Sequence, residues 1–479
     1  GEYAHAYECN QHGREVMQKA GITTGTAWAC LQIQYGTLLR SDGNYQEARR
    51  YVEEALEVLE GAVQSPSQQT AYSVLTRRAG ERGNPAQSQT NKELQTRTER
   101  TLAGDPLDLG YAHEQLGIIA ASSGSLNDGL RHMNIALTIY EQSDLVSDMN
   151  RVCNNLGAAY IVKSEQAAAR TYLRRSLELA ERIGDLPTMT TSMGNLGDVA
   201  QRSGDLLESE EWFKRSIALA ERINDREGIS WCSVELAKVQ QDLGKLDDAR
   251  ASLLRAISIG RTIKSLRCIR YALVGLGNLR ITEAQLAREH EPLSSKGQRE
   301  KSYTSLLLRA RAAIQRAIAP EELELEIIID GRYLLASIYF FLDDLETAHT
   351  VTLQTLKDAR EYEITRITGR AYRLLGLIHA GQQRYEEADA YFEQAIDIFR
   401  ERELRLDYAR TLHYFGAALL RDKLPPAEER AEGRQRAYTR GLDYLREARR
   451  IFVDCHATID MLWVEDELTR VEKQNAGKQ

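Results

Sequence analysis

The chain has 479 residues, with 62 basic against 70 acidic side chains and a net charge of −8, a balance that argues against direct nucleic-acid contact. Its six cysteines (Cys9, Cys30, Cys153, Cys232, Cys268, Cys455) show no CxxC spacing and read as small packing residues, not as metal ligands or disulfides. The sequence shows no signal peptide, no glycosylation sequon and no apolar run of about 18 residues, so a cytoplasmic chain without membrane contact is expected.

In chain order, Tyr3–Ala20 reads as the second helix of a hairpin without its first, and the chain opens on Gly1, not Met. A fragment cut from a longer protein partway through a repeat is expected. Thr26–Gly61 is a complete hairpin, with Gly36, Ala48 and Ala55 at its tight positions and Gly43 at its turn. Between Ser65 and Leu102 the pattern fades into a polar stretch, either a degenerate hairpin or a mobile linker. Residues 1–105 are therefore taken together as partial and degenerate repeats.

Regular hairpins fill most of 106–319, interrupted by an insertion of 21 residues near 283–303. There a first helix runs on to His290, "EPLSSKGQREK" follows, and the second helix resumes with Ala310, Ile314 and Ala317. Pro320 with Glu321, Glu322 and Glu324 suits a helix start, since proline fits the first helical position and carboxylates face the positive helix end. Region 320–456 repeats again, with 13 residues inserted near 421–436, and 457–479 reads as a capping helix and tail. Both insertions fall inside a hairpin and should project from the same edge. All eight prolines stand at boundaries or insertions, as they must where an interior proline costs about 3 kcal/mol.

The repeat itself is written in small residues. Gly117, Gly157, Gly197, Ala237 and Gly277 each follow a leucine, at steps of 40. Twelve residues after the first four come Gly129, Ala169, Ser209 and Ala249, and seven further on Ala136, Ser176, Ser216 and Ala256. Met133, Leu173, Phe213 and Leu253 share one bulky slot between them. The columns return at Ala336, Gly376 and Gly416, with partners Ala348, Ala388 and Gly441. Antiparallel helices cross closely only where side chains are small, and the bulky slot fills the groove beside the crossing. A fixed period with helical spacing inside it predicts an all-α right-handed α-α superhelix, a solenoid of about ten helical hairpins.

On these columns the chain resembles the tetratricopeptide repeat, in a long variety of 40 residues where the usual unit has about 34. The stretch "AERIGDLPTMTTSMGNLGDVAQRSGDLLESEEWF" is similar to the sensor superhelices of maltose-regulator-type signalling ATPases, and to kinesin light chain and spindle-orientation adaptor repeats. The resemblance implies that the first helix of each hairpin lines a concave groove. In that register the groove presents Asn154, Asn155, Asn195, Asp198, Arg202, Trp231, Glu235, Lys238, Tyr271 and Asn278. Asn155 and Asn195 stand 40 apart, and asparagines, with a donor and an acceptor each, can bind the backbone of an extended peptide. Structural bridging between helices is the alternative. The family's chaperone-tail clamp is not expected, because its position holds Asn154, Gly194 and Val234.

A second patch gathers Tyr333, Arg370, Arg373, Arg410, His413 and Tyr414. It could hold a carboxylate or phosphate through charge-assisted bonds, or bridge neighbouring repeats as salt links. Phosphate-loop, HExxH and GxSxG signatures are missing from the sequence. No catalytic residue, metal site or cofactor is therefore expected. The expected partner is a protein or peptide, with a small-molecule effector as the other class. The resemblance implies a non-catalytic sensor or interaction arm of a larger bacterial signalling ATPase or transcription regulator. A freestanding peptide-binding adaptor, and part of an enzyme with its catalytic domain elsewhere, are the alternatives.

Overall fold

The structure is a computed structural model and describes residues 2–22, 25–61, 106–290, 296–319, 325–420 and 431–476. The degenerate stretch Ser65–Leu102, the helix start at Pro320 with its acids, and 421–430 of the second insertion lie outside the described residues. Among the described residues the regular elements are twenty α-helices and no strand. They are α1 (Glu2–Lys19), α2 (Thr26–Ser41), α3 (Tyr45–Gly61), α4 (Pro106–Ser122), α5 (Leu126–Gln142), α6 (Val146–Val162) and α7 (Gln166–Ile183). Then come α8 (Leu186–Ser203), α9 (Leu206–Arg222), α10 (Arg226–Asp242), α11 (Leu246–Thr262), α12 (Leu266–His290) and α13 (Lys296–Ile318). The chain finishes with α14 (Leu325–Phe341), α15 (Leu345–Glu361), α16 (Thr365–Gly381), α17 (Tyr385–Glu401), α18 (Arg405–Leu420), α19 (Ala431–Cys455) and α20 (Thr458–Ala476). From α2 to α19 they pair as successive hairpins, α20 follows as a single helix, and the fold is an all-α helical solenoid.

The small-residue columns are the crossing points. A Cβ added to Gly157 would lie 2.4 Å from Leu173 Cγ, one on Gly117 2.6 Å from Met133 Cγ, and one on Gly376 2.9 Å from Phe392. At Gly197 the added atom would sit 3.0 Å from the Phe213 ring. Each bulky partner is the knob of the sequence pattern, and Met133, Leu173, Phe213, Leu253 and Phe392 are all buried. Serine in the later columns also bonds main chain: Ser209 Oγ donates to Gly197 O at 2.7 Å and Ser216 Oγ to Thr190 O at 2.8 Å. At the hairpin turns Gly204 and Gly244 take the left-handed conformation, with φ of 88° and 78°. Yet Ser164, Asp343 and Gln383 make the same turn at 60°, 65° and 64°, so closure of the hairpin imposes a conformation that glycine merely eases.

The first insertion is largely helix, where a polar stretch was expected between the arms. Helices α12 and α13 have 25 and 23 residues and absorb 283–290 and 296–303. Their extended arms hold each other: Arg288 lies over the Tyr303 ring at 4.8 Å and donates to its hydroxyl at 3.3 Å. The Tyr303 hydroxyl in turn donates to Phe341 O at 2.7 Å. Residues 431–436 of the second insertion are likewise helical, as the start of α19.

Two compact units make up the chain: Gly1–Tyr160 with Thr171–Met189, and Ile161–Arg170 with Thr190–Gln479. The first has its own core, in which Ile33, Val52 and Leu59 meet Leu109, Leu116 and Ile135. In the second unit the last hairpins fold back onto the earliest. One buried cluster joins Phe213, Ile229 and Leu236 to Phe392, Phe415, Leu445, Phe452 and Val464. The α8–α9 turn is so close to the end of α19 that a Cβ on Gly204 would lie 2.7 Å from Cys455 Sγ. Arg410 of α18 clasps the closure, with Nη2 2.6 Å from Asp242 Oδ1 and 2.7 Å from Asp460 Oδ2. No helix among the described residues is long and apolar enough to cross a membrane.

Behind the clasp lies Asp407, 2 % exposed. Arg366 Nε donates to its Oδ2 at 2.7 Å, Arg370 Nε to its Oδ1 at 2.9 Å, and Arg373 Nη1 reaches Oδ1 at 3.4 Å. Burial opposes ionisation of this carboxyl, and the three guanidiniums overcome it, holding it well below the usual carboxylate range. Its contribution to stability is therefore present above the unfolded-state value and lost as pH falls through the folded one.

Two variants test this packing. Gly197→Leu should cost about 1–3 kcal/mol by overfilling the crossing, while Leu at the exposed Ala218 of α9 should leave melting unchanged; equal shifts would contradict the crossing. Asp407→Asn should cost about 3–5 kcal/mol by chemical denaturation, because it strands buried cations. That loss should shrink on acidification, as the wild-type carboxylate itself becomes protonated; a pH-independent loss would contradict the charge assignment.

Candidate functional site

The amphipathic spacing of each hairpin buries its second helix against neighbours and turns one face of its first helix inward. In the second unit those inward faces, from α8, α10, α12, α14, α16 and α18, surround a cavity of about 610 Å³, closed at one side by α20. That volume falls in the range of sites that take a drug-sized molecule or a short peptide segment.

Both residue sets expected from the sequence meet in this one space. Asp198, Arg202, Trp231, Glu235, Lys238, Tyr271 and Asn278 line it from α8, α10 and α12, and Tyr333, Arg370, Arg373, Arg410 and Tyr414 from α14, α16 and α18. Four expected residues lie elsewhere. Asn154 and Asn155 are on α6 in the first unit, where Asn155 Nδ2 donates to Glu114 Oε1 at 3.0 Å. Glu114 is fully buried and also takes Arg151 on both oxygens, at 2.8 and 2.7 Å. Asn195 is half-buried on α8 and does not line the cavity. His413 is buried behind the wall, stacked on Tyr414 at 5.3 Å and edge-on to Phe452 at 6.5 Å.

The wall is ionic but matched. Arg202 Nε donates to Asp198 Oδ1 at 2.8 Å, and Lys238 Nζ to Glu235 Oε1 at 2.9 Å and to the Tyr271 hydroxyl at 3.2 Å. Arg370 Nη1 lies 3.5 Å from Asp330, and Arg373 Nη2 donates to the Tyr333 hydroxyl at 3.4 Å. Burial pushes the Glu235 carboxyl up, with Lys238 pulling against it and Asp198 adding to it. Burial likewise raises Asp242, against the pull of Arg410 and with the help of Asp460. Burial works against the Lys238 ammonium, yet Glu235 and Asp330 raise it. Beside the Lys238–Glu235 pair, α12 offers a softer surface of Tyr271, Val274, Asn278, Ile281 and Thr282, and Trp231 also lines the cavity. Asn278 Nδ2 reaches Gln241 Oε1 at 3.3 Å, and Gln241 donates to Thr282 at 2.7 Å.

Sequence reading missed Asp242, Thr282, Asp330, Arg366, Asp460 and Trp463 on this wall. Arg202, Asp242 and Thr282 share one column at steps of 40, and so do Asp330, Arg370 and Arg410. Following those columns outward from the residues already chosen finds three of the six. Asp460 and Trp463 belong to the capping helix, outside the period, and carry no such signal.

A tetratricopeptide repeat model matches residues 187–262, 328–401 and 367–440, and a second tetratricopeptide repeat model matches 36–64. No curated protein matches the sequence. Among solved structures, the chain is similar to a plasmid's Rap conjugation gene regulator in complex with a Phr peptide, at 13% identity and a TM-score of 0.49, covering 80% of this chain and 96% of that one. It is similar to a Rap protein complexed with competence and sporulation factor at 12% identity and a TM-score of 0.40, covering 90% and 99%. A signal transduction ATPase with numerous domains and a tetratricopeptide repeat sensor, from Pyrococcus horikoshii, is similar at 13% and 0.41, covering 99% and 72%. With helical hairpins, small-residue crossings and matched segments in agreement, the chain carries tetratricopeptide repeats over 36–64, 187–262 and 328–440, and the second and third of these segments supply part of the cavity wall.

Proposed function

We propose that this chain is a non-catalytic binding module and that its ligand, a short extended peptide segment, enters the cavity of the second unit. The observation that carries the reading is the convergence of inward faces from successive repeats on one space of about 610 Å³. Trp231, Tyr271, Tyr333 and Tyr414 give that space rigid apolar contact area, and Asn278 and Gln241 give it amides. A binding role is favoured over catalysis because Asp198, Glu235, Asp242, Asp330 and Asp460 are each held by a cation, a use of carboxylates that fixes geometry. The 40-residue period, shared with sensor arms of signalling ATPases, supports placing the module in the sensing arm of a signalling protein. Six cysteines that stand as thiols, with Cys153, Cys232 and Cys455 buried, support a reducing, cytoplasmic setting.

The test is selection of a random linear peptide library on the full chain, followed by calorimetry with a selected peptide. Tyr271→Ala with Asn278→Ala should weaken that peptide by about 2 kcal/mol or more. Unchanged affinity in the double variant would overturn the cavity as the site. Asn155→Ala should behave oppositely. It removes a donor to buried Glu114, so stability should fall by about 1 kcal/mol while peptide affinity stays put; lost affinity with unchanged melting would return Asn155 to the ligand site.

A further inference from the structure

Asp407 grips two arginines in an unusual way. Arg366 and Arg370 stand one helical turn apart on α16, and each donates its Nε to a different oxygen of the same carboxylate. The Nε edge of a guanidinium is thereby used and the Nη edge left over. Among the described residues neither Nη of Arg366 has a hydrogen-bond partner, and Arg370 has only Nη1 engaged, at 3.5 Å from Asp330. Both residues line the cavity, although their side chains are only 12% and 18% exposed. Guanidinium donors rarely stay open in so sheltered a place, because a buried charge needs its hydrogen bonds filled. Arg366, Arg370 and Arg373 bring three positive charges, and Asp407 and Asp330 return two negative ones. Arg410 with Asp242 and Asp460 stands beside them and evens the count, so the corner is marked by its open donors and not by surplus charge.

We infer that the Nη edges of Arg366 and Arg370 form a preorganised oxyanion cradle, which binds a carboxylate or phosphate group of the ligand. Asp407 is its positioning residue. It fixes both planes from behind, so the ligand's anionic group meets donors that lose little freedom on binding. Tyr333 and Tyr414 flank the corner and suit an anion borne on an apolar or aromatic body. A neutral crown of donors could not supply this selectivity, and neither could lysine, whose ammonium lacks the planar fork.

The inference rests on the cavity being the ligand site, and its test is separate from peptide selection. The full chain is titrated with sodium phosphate and with sodium acetate at constant ionic strength set by sodium chloride, with anion line broadening read by NMR. Saturable binding of one or both above the chloride background is expected, and which anion binds tighter distinguishes the two sources. Arg366→Gln should weaken it about tenfold, the scale of one charge-assisted bond. Arg366→Lys keeps the charge beside Asp407 and so the fold, checked by circular dichroism, and should also weaken binding several-fold. No saturable binding by the wild type, or equal binding by the folded Lys variant, overturns the cradle. Peptides that bind the cavity without any anion binding overturn the cradle alone; anion binding without any peptide overturns the peptide reading alone.

Discussion

Two helices can pass at close range only where a side chain is missing, and this chain repeats that omission every 40 residues. At Gly117, Gly157, Gly197 and Gly376 the space of a Cβ is already taken by the knob of the partner helix. The crossing sets the angle of each hairpin, and the angle decides which face of the first helix turns inward. The cavity follows from this constraint. Its wall takes the side chains that the crossings leave facing inward, and there the repeat carries ions, amides and aromatics.

Closure of the second unit adds a different kind of force. The apolar cluster that joins Phe213 to Phe415 and Phe452 supplies most of the attraction, since burial of large apolar area is what stabilises such contacts. The ionic clasp of Arg410 with Asp242 and Asp460 contributes register more than strength, because desolvation offsets much of the attraction of a buried ion pair. Asp407 differs in having three cations around one carboxylate. The unfilled Nη edges of Arg366 and Arg370 belong to residues that line the cavity and give one corner of its wall a set of open donors.

The fold was legible in the sequence because its constraint is local and periodic. Glycines, alanines and serines at fixed spacing mark the crossings, and the bulky slot marks the knobs. The limits of the insertions were less legible: polar residues such as Lys296–Lys301 read as loop, yet the arms of α12 and α13 simply continue, held by Arg288 on Tyr303. The site was legible in part. Register placed Trp231, Lys238 and Tyr271 on inward faces, and Arg370 was expected in a second patch, where the structure has one cavity. That merger depends on contacts such as Arg410 to Asp242, 168 residues apart, and no local pattern encodes them. Asn155 shows the opposite failure. Its column suggested a ladder, while its amide serves the buried carboxylate of Glu114.

The central claim is that the ligand binds on the inward faces of the second unit. Hydrogen exchange of the full chain, with and without a selected peptide, tests it most directly, because exchange reports opening element by element. The account predicts slowed exchange in α8, α10, α12, α14, α16 and α18, whose inward faces line the cavity, with α3 and α5 of the first unit unchanged. Slowing confined to α11, α15 and α17, or to the first unit, would contradict it.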